Sequence, residues 1–275
     1  MGISIAVVAM AFLFLIETSE AENSVYTGPL KAVIIDQLYD DIPSENFHIK
    51  ATQYLMDAGY EVDIFTTEKI TVDFFKQLPK MNYNYIIFRT HGAADSSDDN
   101  VVTLFTGEKY TEEKYIQEQL FGLVKKGAPF AAVNYSLDKH LSEDWVKLND
   151  TAFTITTPAQ RDTITENYYF LIPPKLVSDG MVGKFPSSTI LLGGCNTMTN
   201  PSMAKALVER GASVVVGWDD AVGSFDNDET MLLVLQKTLV EGQNIEDAID
   251  SVSEEREWFN QYYSANFVTY SESSP

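Results

Sequence analysis

The chain has 275 residues, of which 45% are apolar, so it is long enough to build one large α/β domain around a sizeable core. It carries 40 Asp and Glu residues against 19 Lys and Arg, a formal net charge of −21 at pH 7. This excess of carboxylates argues against a nucleic-acid partner, whose phosphates would be repelled, and is compatible with a cationic partner. The single cysteine, Cys195, excludes an internal disulfide.

The first segment of the chain has the pattern of a targeting sequence. Residues 3–16 form an apolar run without a charged side chain, too short to span a bilayer comfortably. Ser19-Glu20-Ala21 then matches the small-residue pattern of a signal cleavage site. Residues 1–21 are therefore predicted to be a secretory signal peptide or, alternatively, an N-terminal membrane anchor, followed by a tether at 22–29. Both interpretations predict a secreted protein or one on the extracellular face of the membrane.

From residue 30 onward, strand and helix patterns alternate, which predicts a three-layer αβα domain over residues 30–260 with a mostly parallel central sheet. The predicted strands cover residues 30–36, 61–65, 83–89, 130–135, 188–193 and 213–217. The predicted helices cover residues 47–58, 71–78, 112–126, 202–210, 227–241 and 244–258. Four further segments are a polar loop at 92–100, a hairpin at 101–110 turning at Thr106-Gly107, an irregular insertion at 136–186 and a C-terminal tail at 261–275.

Two of the predicted strands stop at a chemically reactive residue. The apolar residues 85–88 lead into Arg89-Thr90-His91-Gly92, and residues 189–192 lead into Gly193-Gly194-Cys195. Ligands of open α/β sheets bind beyond the carboxyl ends of the strands, so a thiol and an imidazole at two such ends are expected to meet. A Cys-His pair is the minimal set of groups for nucleophilic acyl transfer.

This order of motifs resembles the caspase-like fold of the clan CD cysteine peptidases and is closest in pattern to gingipain-like and CHAT-like domains. The resemblance covers roughly residues 30–252 and includes the helix, strand and Trp218 that follow the cysteine. It implies a caspase-like hydrolase, a cysteine endopeptidase that cleaves a protein or peptide substrate with a Cys-His dyad. It further implies that Cys195 is the nucleophile and His91 the acid toward the leaving amine. The N–H groups of Gly92 and Cys195 would form the oxyanion hole.

The resemblance also suggests where a substrate side chain would bind. Asp36 ends the first strand, and Trp218, Asp219 and Asp220 follow the strand after the cysteine. Carboxylates at these positions imply cleavage after a basic P1 residue, although a solvated acidic loop explains the last two equally well. The chain departs from the family at Gly193, where metacaspases carry an acidic residue, and it lacks the Gln-Ala-Cys pattern of caspases.

The motifs imply no cofactor. Three His and one Cys show no spacing suited to zinc, and His48 and His140 are expected to be packed or surface residues. The acidic segments 95–100 and 226–229 offer oxygen ligands suited to calcium, but neither matches an EF-hand loop, and helix capping or solvation explains the same residues.

Two alternatives to the peptidase stay open. One is a catalytically inactive caspase-like domain that binds a peptide or protein partner at the cell surface, because a fold alone does not determine a function. The other is a flavodoxin-like domain that binds a sugar or nucleotide. The second has little support, because no glycine-rich phosphate-binding motif follows a strand.

Overall fold

The computed structural model describes residues 28–95, 101–127, 168–255 and 265–272. In chain order its strands are β1 (Lys31–Asp36), β2 (Glu61–Thr66), β3 (Tyr85–Arg89), β4 (Gly92–Asp95), β5 (Val101–Lys109), β6 (Lys125–Gly127), β7 (Tyr169–Ile172), β8 (Ser188–Gly193), β9 (Ala212–Trp218) and β10 (Phe267–Ser271). Its α-helices are α1 (Glu45–Asp57), α2 (Val72–Gln77), α3 (Ile116–Leu120), α4 (Ser202–Glu209), α5 (Ser224–Leu235) and α6 (Ile245–Glu255).

A six-stranded sheet forms the centre of the molecule, in the order β10-β9-β8-β3-β1-β2. All its neighbouring strands run parallel except β10, which pairs antiparallel with β9. The switch point of this sheet lies between β1 and β3. The chain places β2 on one side of β1, and it places β3 and every later strand of this sheet on the other side. The carboxyl ends of β1 and β3 therefore flank a topological switch point, the place where open α/β sheets form their ligand crevice.

Both faces of this sheet are covered, so its central strands β1, β3 and β8 are buried and largely apolar. In β1, Ala32 and Ile34 pack against one layer while Val33 and Ile35 pack against the other, as the two-residue period of a strand requires. Helices α1, α5 and α6 contribute to the first layer, and α2, α4 and a second sheet contribute to the opposite one. The predicted αβα class and mostly parallel sheet are confirmed.

The second sheet is antiparallel, in the order β4-β5-β7-β6. It overturns three local predictions. Gly92–Asp95 is a strand and not the start of a loop, and β5 runs straight through the predicted hairpin turn at Thr106-Gly107. Gly107 is needed there for contact and not for turning, because a side chain at this position would overlap the Thr67 backbone. The predicted helix 112–126 is reduced to α3, since residues 125–127 pair with β7 instead.

The C-terminal tail also belongs to the domain, because β10 completes the central sheet beyond the predicted boundary at residue 260. The predicted strand 130–135, the insertion up to residue 167 and the N-terminal residues 1–27 lie outside the described residues. Within the described part of the chain, no helix has the length and apolar character needed to cross a membrane.

Candidate active site

The register of the central sheet brings the two motif residues side by side. Arg89 of β3 is paired with Gly193 of β8, so His91 and Cys195 each lie two residues beyond a matched pair at the carboxyl edge. The N–H of Thr90 donates to the carbonyl of Gly193 at 2.9 Å, which continues the pairing past the end of β3. The meeting of the two loops follows directly from parallel pairing of adjacent strands.

Glycines allow the two loops to touch through their backbones. A side chain at Gly92 would overlap the carbonyl oxygen of Cys195 and lie 2.8 Å from Cγ2 of Thr197. A side chain at Gly194 would overlap the carbonyl oxygen of Thr90 and lie 3.3 Å from the nitrogen of Gly92. Both glycines are therefore required by close approach of the His91 and Cys195 loops to each other.

His91 is partly buried at the end of β3. Its ring meets Phe105 edge-on, with 5.7 Å between ring centroids, and its backbone N–H donates to Oε1 of Gln37 at 3.0 Å. Burial lowers the pKa of His91; nearby Asp41 opposes this shift and Arg89 adds to it. The imidazole is therefore neutral at neutral pH and able to accept a proton.

The thiol of Cys195 is held by the backbone of Val222. Sγ lies 3.4 Å from the carbonyl oxygen of Val222 and 3.4 Å from its N–H. Burial raises the pKa of Cys195; the Val222 hydrogen bond lowers it and the charge of Asp220 raises it further. Among the described residues no hydrogen bond joins this thiol to the His91 ring, so the resting pair is a thiol and a neutral imidazole.

Two backbone N–H groups belong to the loops that carry the imidazole and the thiol. The N–H of Phe105 donates to the carbonyl of His91 at 3.1 Å, so by the alternation of an antiparallel ladder the N–H of Gly92 points away from β5. The N–H of Cys195 interacts with its own thiol, which lowers the pKa of Cys195, and within the described residues it has no backbone acceptor on another residue. These are the two donors that the sequence predicts for an oxyanion hole.

Asp36 occupies a different position from the one that a substrate-binding residue needs. Its carboxylate is fully buried, with Oδ1 3.1 Å from Nη1 of Arg89 and Oδ2 2.6 Å from Nε2 of His48. On its other side, Arg89 donates from Nε to Asp228 at 2.8 Å. Asp36 thus belongs to a buried ionic cluster (Asp36, His48, Arg89, Asp228) beneath the strand ends, and we place it outside the substrate site.

The other predicted substrate residues differ from one another. Trp218 is fully buried and donates its indole N–H to Asn227 at 2.9 Å, so it is a core residue. Asp219 is half-buried and accepts the backbone N–H of Asn266 at 2.6 Å and its side-chain amide at 2.8 Å. Asp220 is exposed, and its backbone carbonyl accepts the N–H of Asn196, the residue after Cys195, at 3.0 Å.

Sequence reasoning missed Gln37, Asp41 and Val222. The first two lie in the segment that follows β1, which the sequence identifies only as a loop. The position of this segment at the switch point could have marked it as part of the site, because the end of β1 lies beside the end of β3 there. Val222 carries no signal, because it acts through its backbone.

Of the two acidic segments considered for calcium, residues 226–229 lie wholly within the described part of the chain. Residues 226–229 lie in the first turns of α5, where the carboxylate of Asp228 is taken up by Arg89. Residues 96–100 lie outside the described part of the chain. Among the residues that the structure describes, no group of three or more His, Cys, Asp or Glu side chains is arranged to hold a metal ion.

No protein-family model matches the chain, and a search of curated proteins finds no match. The functional interpretation therefore rests on the geometry of the two loops.

Proposed function

We propose that this protein is a cysteine endopeptidase of the caspase-like type, with Cys195 as nucleophile and His91 as the acid-base group. The observation that supports it is the packing of the two loops: adjacent parallel strands deliver a thiol and an imidazole to one edge, and Gly92 and Gly194 let their backbones touch. A thiol, a proton acceptor and two N–H donors at the carboxyl ends of the adjacent strands β3 and β8 form a set suited to acyl transfer.

The proposed reaction starts from the neutral pair. Sγ of Cys195 attacks the carbonyl carbon of the scissile bond, and the thiol proton passes to the ring of His91. The carbonyl oxygen becomes an oxyanion that accepts hydrogen bonds from the N–H groups of Gly92 and Cys195. His91 then gives its proton to the leaving amine as the C–N bond breaks and a thioester remains.

Water completes the cycle. His91 removes a proton from a water molecule, the hydroxyl oxygen attacks the thioester carbonyl, and the C–S bond breaks. The product leaves as a carboxylic acid, and the proton on His91 returns to the sulfur. The weak 3.4 Å contacts between the thiol and Val222 have to be exchanged for substrate contacts before the first attack.

The charges around the pair support a cationic substrate. Asp41 and Asp220 are both exposed, and each acts electrostatically on one member of the pair. With a chain charge of −21, they favour a basic side chain at P1 and steer a cationic peptide toward the site. In this proposal Asp41, and not Asp36, favours a basic side chain at P1.

A second candidate is an inactive domain that binds a peptide at the same edge. It is favoured by the raised pKa of Cys195 and by the hydrogen bonding of its thiol to Val222 and not to His91. Under this hypothesis the acidic rim binds a basic peptide, and no bond is cleaved.

One experiment separates the two. The purified full chain is assayed with fluorogenic peptides that carry Arg, Lys, Leu or Asp at P1, with and without calcium, beside Cys195→Ala and His91→Ala. The peptidase predicts cleavage after Arg or Lys that both substitutions abolish. Binding of the basic peptides by fluorescence anisotropy without any turnover would support the inactive domain and contradict the peptidase.

We also propose that the protein acts outside the cell, on the basis of the apolar residues 3–16 and the cleavage pattern at Ala21. Expression of the whole chain in a secreting host, followed by N-terminal sequencing, tests this. A mature N-terminus at residue 22 in the medium supports secretion. An intact N-terminus in the membrane fraction supports the anchor, and an intact protein in the cytosol contradicts both.

A further inference from the structure

Gln37 connects the end of β1 to the backbone of His91. Its side chain is almost fully buried, and its Oε1 accepts the N–H of His91 at 3.0 Å. The hydroxyl of Thr90 lies farther from the same oxygen, at 3.4 Å, and has nearer acceptors at the carbonyls of His91 and Phe105. The main partner of the Gln37 oxygen is therefore the backbone of His91.

His91 needs such a partner because the chain changes sheets at this residue. Its carbonyl already belongs to the antiparallel sheet, where it accepts the N–H of Phe105 at 3.1 Å. Its N–H lies beyond the last pair of the parallel ladder between β1 and β3, Asp36 with Arg89. Among the residues that the structure describes, no strand carbonyl takes that N–H, and Gln37 supplies the acceptor.

Gln37 is itself fixed by the buried cluster. Its own backbone N–H donates to the carbonyl of Arg89 at 2.9 Å, and the next N–H, of Leu38, donates to Oδ1 of Asp36 at 3.0 Å. Asp36 in turn is bound by Arg89. A continuous set of hydrogen bonds thus extends from the buried ionic cluster to the residue that carries the imidazole.

We propose that Gln37 is a positioning residue for His91, which holds the imidazole in place relative to the Cys195 thiol and does so without adding charge. This inference rests on the proposed peptidase function. A neutral amide suits this role, because the ring is already influenced by Asp41 from the loop after β1 and by Arg89 from β3. A carboxylate at position 37 would accept the same hydrogen bond but would favour the protonated imidazole, which cannot accept the thiol proton.

Two substitutions separate geometry from charge. Gln37→Met keeps the length of the side chain and removes the acceptor, whereas Gln37→Glu keeps the acceptor and adds a negative charge once its carboxyl ionises. Because burial raises the pKa of a carboxyl at this position, the Glu variant is assayed up to high pH. Gln53→Met is the matched control, because Gln53 is exposed on α1 and its amide donates to Asp57 at 2.7 Å. Thermal unfolding of each variant reports whether it is folded at the assay temperature.

For peptide cleavage, Gln37→Met is expected to lower kcat by about 10- to 100-fold with KM changed less than about twofold, because misplacement of a reacting group by about 1 Å costs up to about 100-fold. Gln37→Glu is expected to retain more activity than Gln37→Met at high pH and to lose it as the pH falls, since its His91 becomes protonated earlier. Gln53→Met is expected to match the wild type. A wild-type kcat in folded Gln37→Met, or equal losses in the Met variants at 37 and 53, would overturn the proposal.

Nuclear magnetic resonance of the histidine rings tests Gln37 separately from catalysis. The chain has three His residues, so the Cε1–H signal of His91 can be assigned by its loss in His91→Ala. We expect Gln37→Met to move this signal and Gln37→Glu to raise the pKa of His91. An unchanged His91 signal and pKa in both variants would refute the positioning role. Absence of cleavage by the wild type, with these shifts present, would refute the peptidase and leave the contact.

Discussion

Replacement of Gly92 by alanine is the most direct test of the proposed site. The added Cβ would overlap the carbonyl oxygen of Cys195 and lie 2.8 Å from Cγ2 of Thr197, where ordinary contact begins at 3.4 Å. Because both neighbours lie on the cysteine loop, relief requires the His91 and Cys195 loops to separate by about 1 Å. The perturbation therefore acts on the distance between the two reacting groups.

Two magnitudes are expected from this separation. Overpacking of this kind costs about 1–3 kcal/mol in the free energy of unfolding, measured by urea denaturation. The same shift of about 1 Å is expected to lower kcat/KM by about 100-fold or more, since it displaces both the imidazole and the N–H of Gly92. The loss of activity should thus exceed what partial unfolding explains.

Gly59→Ala is the matched control. Gly59 follows α1 with a φ of 88°, and a side chain there would meet nothing within 4 Å. This substitution is expected to cost about 1–2 kcal/mol through backbone strain alone and to leave kcat/KM unchanged. If Gly92→Ala retains full activity and stability, or loses no more activity than Gly59→Ala, the close packing of the two loops is not what makes the site.

Three further outcomes are expected. Arg89→Met removes the cation shared by the buried carboxylates of Asp36 and Asp228, of which Asp36 keeps His48 and the N–H of Leu38. It is expected to lower the free energy of unfolding by about 3–5 kcal/mol in urea denaturation, and wild-type stability would contradict a structural role of these ion pairs. Because burial raises the pKa of Cys195, its rate of alkylation by iodoacetamide should increase with pH through a midpoint above the pKa of free cysteine, about 8.5. A midpoint below about pH 7 would contradict the neutral resting pair. Thr71→Ala removes the N-cap of α2, whose hydroxyl accepts a backbone N–H at 3.1 Å, and should cost about 1 kcal/mol without changing the alkylation rate.

The sequence predicts the central sheet well because its signal is local. The central parallel strands β1, β3 and β8 contain continuous apolar runs ended by Gly or a polar residue, and the juxtaposition of His91 with Cys195 then follows from pairing alone. The second sheet could not be predicted in this way. Its short strands, such as β4 and β6, carry little apolar pattern and exist only because β5 and β7 offer them edges.

The contacts of the candidate site were predictable only in part. The motifs predict the Cys-His pair and the two N–H donors. Gln37, in contrast, lies 54 residues before His91, and its role depends on the orientation of its side chain in the folded protein. The burial of Asp36 was also hidden, because Arg89 reads as the polar end of an apolar strand until its two carboxylate partners are seen. Pairings over such separations depend on the tertiary structure and leave no periodic signal.

The buried ionic cluster explains why the end of β1 can serve as a wall of the site. Desolvated ion pairs contribute little net stability, so Arg89 and its two carboxylates are better understood as fixing geometry. Arg89 also donates to the carbonyl of Ile42 at 2.7 Å, and this bond ties down the segment that carries Gln37 and Asp41. If this loop were held only by surface contacts, the positions of Gln37 and Asp41 relative to His91 would vary. Burial of these charges beneath the strand ends costs desolvation free energy. Such a cost is expected at a site whose residues need a rigid support.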